Sequence, residues 1–78
     1  MNDKTYQYYL RDLGVFLKED ALEAKMELHS APPGDRAFLQ GKLIAYNQII
    51  SLLISQATAF DIPLEDISLK GFDPDRDL

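Results

Sequence analysis

Two adjacent prolines constrain this chain more than any other feature. Pro32 and Pro33 stand between two long stretches that each repeat their apolar residues at helical spacing. Neither proline continues a preceding helix, and Pro32 pushes Ala31 away from helical dihedrals. Pro33 suits the first turn of a new helix, and Asp35 is a candidate N-cap. A connection as short as Ser30–Asp35 forces the second helix back antiparallel to the first. The expected fold class is therefore all-α. It is an antiparallel two-helix hairpin with a short C-terminal turn and tail, a single domain over residues 1–78.

The first stretch predicts a helix over residues 3–29. Leu10, Leu13, Leu17, Ala21, Ala24 and Leu28 are spaced 3, 4, 4, 3 and 4, which places them on one helical face. Tyr6, Tyr9 and Phe16 widen that face, and Asn2 or Asp3 suits the N-cap. Tyr8, Val15, Leu22 and Met26 form a second stripe nearly opposite, which a bare hairpin leaves wet. Gly14 sits in the middle and costs about 1 kcal/mol relative to Ala in a helix. It is either a tolerated glycine or a place where another helix comes close.

The second stretch predicts a helix over residues 35–60. Leu39, Leu43, Tyr46, Ile50, Leu53, Ala57 and Phe60 alternate spacings of 4 and 3, an a/d seam. Phe38, Ala45, Ile49, Leu52 and Ala59 form a second row beside it. Together they span an arc of about 200° on a 3.6-residue wheel, more than one partner helix covers. From Leu43 to Phe60 there are 18 residues without a charge, near the lower limit for a membrane span. Six of them are polar (Asn47, Gln48, Ser51, Ser55, Gln56 and Thr58), so a helix buried in a soluble assembly is the favoured reading. No membrane contact is expected.

Residues 61–78 read as a tail. Pro63 ends the second helix, Pro63–Ile67 suits one further turn, and Gly71 is a candidate stop. Ile62, Leu64, Ile67, Leu69 and Phe72 give the segment enough apolar content to fold back on the hairpin. Residues 73–78 are expected to be mobile. Asp73, Asp75 and Asp77 alternate like the opening of a calcium loop, but the sixth position is Leu78 rather than Gly.

Composition narrows the function classes. The 78 residues include no Cys, so disulfides and thiolate zinc sites are excluded. A chain of this size buries only about 60% of its unfolded surface, and self-association is the remaining source of stability. The net charge of −5 argues against a general nucleic-acid or anionic-membrane binder. No secretory signal opens the sequence, and the cytoplasm is the expected compartment. His29 is the only histidine and suits the end of a helix dipole. Asp12, Glu19, Glu23 and Glu27 line one flank of the first helix without the Glu-x-x-His units of di-metal bundles, so they read as a solvated face. No catalytic, cofactor or metal site is expected, and the chain reads as a non-enzyme.

Two function classes remain. The first is a small interaction, scaffold or regulatory protein that dimerises into a four-helix bundle. Its candidate self-association residues are Leu39, Leu43, Tyr46, Ile49, Ile50, Leu52 and Leu53 on the second helix, with Tyr8, Val15 and Leu22 on the first. The second class is an RNA-binding hairpin dimer. Lys4, Arg11, Lys18 and Lys25 stand seven apart in a basic stripe that suits phosphate contact. The plasmid copy-control protein Rop is an architectural analogy for it, with no sequence match.

The second half also has a distinctive texture. Phe38-Leu39-Gln40-Gly41-Lys42-Leu43-Ile44-Ala45-Tyr46, Ser51-Leu52-Leu53, Gln56-Ala57, Phe60-Asp61-Ile62-Pro63-Leu64-Glu65 and Gly71-Phe72-Asp73-Pro74-Asp75-Arg76-Asp77-Leu78 carry it. Over residues 38–78 it resembles a family of small uncharacterised bacterial proteins, of the kind solved in structural-genomics work as helical hairpins. The resemblance implies a bacterial origin and a helical fold, and no activity. It also allows the terminal Asp-Pro-Asp-Arg-Asp-Leu to be a docking element.

Overall fold

A computed structural model describes residues 3–78. The chain is all-α, with no strand among the described residues. Helix α1 spans Asp3–His29, helix α2 spans Arg36–Ala59, and a single helical turn, α3, spans Pro74–Asp77. Two 3-10 turns, Pro33–Asp35 and Leu64–Ile67, lie between them. The expected N-cap at Asn2 or Asp3 lies outside the residues whose side chains are described.

The proline pair acts as anticipated. Pro32 is extended (φ −63°, ψ 155°) and Pro33 opens the 3-10 turn. Asp35 holds the cap position of α2, but its side chain makes no capping hydrogen bond. The start is secured instead by the 3-10 turn, in which the Asp35 amide donates to the Pro32 carbonyl at 3.0 Å. Arg36 reaches back across the break, its guanidinium donating to the Leu28 carbonyl at 3.3 Å. That carbonyl belongs to the last turn of α1, where backbone acceptors lack helical partners.

Helices α1 and α2 lie side by side. Leu28 shares one end with Gln40 and Leu43, and Leu10 shares the other with Leu53, Ala57 and Phe60. Ala21 and Ala24 of α1 and Leu39, Ile50 and Ala57 of α2 are buried between them. The small alanines let the helix axes approach, and Leu10, Leu17, Tyr46 and Leu53 pack around that centre.

The tail supplies the rest of the core. Helix α2 ends on Asp61 in the left-handed region (φ 55°), with the Ile62 amide donating to the Ala57 carbonyl at 2.8 Å. This is the closure of a Schellman-type cap, with Asp in the place where Gly is usual. The 3-10 turn closes the same way on Ser68 (φ 60°), with Leu69 N donating to Leu64 O at 2.9 Å. Gly71 then turns the chain at φ 78°. Ile67 and Leu69 are buried against both long helices, and Leu64, Phe72 and Leu78 pack beside them.

Residues 73–78 form a capped helical turn packed on the hairpin's side, where the sequence alone suggested a free end. The Asp73 carboxylate accepts from the Asp75 amide at 3.0 Å, and the Asp77 carboxylate accepts from the Asp73 amide at 2.9 Å. Pro74 occupies the first helical position and is buried. Asp-Pro-Asp-Arg-Asp-Leu is thus a self-capped turn with a buried proline.

Candidate functional site

Three rows of α2 have three different surroundings. Leu39, Tyr46, Ile50, Leu53 and Ala57 face α1 and the core. Asn47, Ser51 and Ile54 lie about 90° round from that row on the helical wheel and face the tail. There Asn47 Nδ2 donates to Asp75 Oδ1 at 3.2 Å, and Ser51 Oγ donates to Asn47 Oδ1 at 3.3 Å. Phe38, Ala45, Ile49, Leu52 and Ala59 lie about 100° round in the other sense. Among the described residues nothing covers this third row: Phe38 is 74% exposed, Ile49 46% and Leu52 60%.

Helix α1 divides the same way. Gly14, Lys18 and Lys25 face the tail. A Cβ at position 14 would collide with the Ile67 carbonyl. The Lys18 ammonium donates to the Ser68 carbonyl at 3.0 Å, and the Lys25 ammonium to the Asp77 carbonyl at 2.9 Å. Tyr9 and Phe16 lie on the opposite flank and are exposed. Because the tail bridges both helices on one side, the bare rows of α1 and α2 share the other side.

The expected self-association residues therefore separate. Leu39 and Ile50 are spent inside the chain. Tyr46 and Leu53 are half-buried against its core. Leu43 lines a groove of about 460 Å³ between Leu28, the Gln40–Gln48 flank and Leu78. Ile49 and Leu52 remain on the open row. Tyr8, Leu22 and the neighbouring Met26 are exposed along the outer edge of α1, with Val15 half-buried. The tail passes beside that edge without covering it.

The basic stripe separates too. Lys18 and Lys25 tie down the tail. Arg11 is exposed, 4.7 Å over the Tyr8 ring and 4.0 Å from the Asp12 carboxylate. Lys4 is exposed. The acids Asp12, Glu19, Glu23 and Glu27 are exposed along α1, as is His29 at its end. No cluster of metal-ligating side chains occurs among the described residues.

The Asp77 carboxylate is perturbed. Arg76 donates to both oxygens of Asp77 at 2.9 Å, and the Asp73 amide adds a further bond. These contacts, Arg76 first, lower the Asp77 pKa to about 2. The Asp77 bond in turn raises the pKa of Arg76, which also donates to the Gly71 carbonyl at 2.8 Å. The group is a surface knot that closes the final turn, and its chemistry is structural.

Sequence periodicity located the main apolar rows but missed Ile54 on the tail-facing side and the work of the lysines. Their contacts reach 50 and 52 residues along the chain, beyond any local pattern. The segment Pro33–Ala59 is also long and apolar enough to cross a membrane, by length and composition. Neither a family model, nor a curated protein, nor a solved structure matches the chain.

Proposed function

We propose that this chain is a non-enzymatic interaction protein: a helical hairpin that pairs with a second copy through α2 into a four-helix bundle, acting as a small scaffold or regulator in the cytoplasm. The observation that carries this reading is the open row of Phe38, Ile49 and Leu52. Large apolar side chains in a continuous row mark an association surface far more often than isolated ones do. The Tyr9–Phe16 flank of α1 extends the same side.

The polar side of α2 supports the soluble reading over a membrane span. Asn47 and Ser51 are tied to the acidic tail, which would have to enter the bilayer with them. The tail contacts of Lys18 and Lys25 weigh against the RNA reading, since two of its four cations already have acceptors. The texture of residues 38–78 supports a place among small bacterial helical-hairpin proteins.

The test is sedimentation equilibrium of the native chain beside a Leu52→Glu variant. Position 52 is exposed, so the variant keeps its fold while a charge enters the pairing face. A dimer that becomes a helical monomer supports the reading. Identical masses for the two proteins contradict it.

A further inference from the structure

The open row of α2 carries a register as well as a surface. Phe38, Lys42, Ala45, Ile49, Leu52, Gln56 and Ala59 are spaced 4, 3, 4, 3, 4 and 3. The spacing is that of an a/d seam, separate from the seam that faces α1, with Lys42 and Gln56 as its two polar members. Its sizes are also ordered, with large residues at 38 and 52 and small ones at 45 and 59.

We propose that a second copy seats antiparallel on this seam, with Ile49 at the two-fold axis. The inference rests on the self-association reading above and adds its geometry. In that register Ile49 meets its own copy, and the nearest seam residues pair Ala45 with Leu52 and Phe38 with Ala59, each within about one residue's rise. Each large side chain meets a small one, the alternation that lets facing layers interdigitate. Lys42 falls opposite Gln56, where its charge meets a neutral amide. A parallel pairing sets Lys42 against Lys42 and Phe38 against Phe38, and leaves Ala45 against Ala45. Like charges and mismatched volumes oppose it. The interface is isologous, as a closed dimer requires.

The chain's area matches what such a dimer needs. It exposes 5585 Å², against roughly 4800 Å² for a compact monomer of 8.9 kDa. The surplus of roughly 800 Å² equals one partner's share of a standard interface. It follows from the flat, elongated shape of 47 × 22 × 16 Å, with one broad side covered by the tail and the other bare.

The chain has no cysteine, so single thiols report the register without background. Full-length Ile49→Cys, Ala45→Cys, Leu52→Cys and Thr58→Cys are each oxidised at low micromolar concentration. Thr58 is exposed on the side of α2 remote from the seam and serves as the collision control. Ile49→Cys is expected to cross-link to itself at least about tenfold faster than Thr58→Cys, because pairing holds the two thiols together. A mixture of Ala45→Cys and Leu52→Cys should form the mixed disulfide in preference to either self-linked species. Light scattering on the reduced Ile49→Cys protein separates the two ways of failing. A dimeric mass with cross-linking no faster than Thr58→Cys, or with Ala45→Cys and Leu52→Cys each preferring themselves, overturns the register and leaves self-association standing. A monomeric mass overturns both.

Discussion

The Ile67 carbonyl lies against the α-carbon of Gly14, in the space a side chain would fill. The glycine is thus a notch in α1 that receives the turn Leu64–Ile67. Ile67 itself is buried by that docking. The sequence allowed a close approach at Gly14, and the approaching element is the tail's 3-10 turn rather than another long helix.

Gly14→Ala should therefore destabilise the fold by about 1–3 kcal/mol, since a fixed backbone carbonyl has to move. Gly41→Ala is the matched control. It lies in α2 with open space around it, and should stabilise by about 0.5–1 kcal/mol through helix propensity. Urea unfolding of the two variants checks the opposite signs.

Lys18 and Lys25 hold the tail by single charge-assisted bonds to backbone carbonyls. Replacing either by Met keeps the apolar stem and removes the donor. Each change should cost about 0.5–1.5 kcal/mol. Hydrogen exchange should accelerate first at the Ser68–Leu78 amides, with α1 and α2 little affected.

The C-terminal turn should respond to acid. The Asp77 pKa in the folded chain is about 2, below the ordinary aspartate value near 4. A depressed pKa means stabilisation that is present above about pH 4 and is lost as pH falls toward 2. A carboxyl carbon titration by NMR should place the Asp77 midpoint well below the ordinary aspartate value. An Arg76→Gln variant should move that midpoint up, because Arg76 is the largest cause of the shift.

The basic stripe offers a further check. With Lys18 and Lys25 engaged and the net charge at −5, structured RNA should give no gel shift even at low salt. A salt-sensitive shift that weakens in Lys18→Glu would favour the RNA reading instead.

Much of this was legible in the residues. The expected helices, 3–29 and 35–60, agree with Asp3–His29 and Arg36–Ala59 because Pro32, Pro33 and Pro63 are local signals. The apolar rows were legible for the same reason. Which row of α2 the chain uses for itself was not, since Ile49 and Ile50 are equally apolar and adjacent. Only the position of α1 decides that Ile50 is buried and Ile49 is left outside. The turn at residues 73–78 was missed because three aspartates read as solvated charge. Their carboxylates instead cap the turn around Pro74 and pair with Arg76.

A second copy of the chain on the bare side of α2 must show in the mass of the protein in solution. Gel filtration with light scattering, run from low to high micromolar concentration, tests it most directly. Pairing gives a mass approaching ~18 kDa, twice the 8.9 kDa of one chain, as concentration rises. A mass that stays at 8.9 kDa at the highest concentration would contradict it.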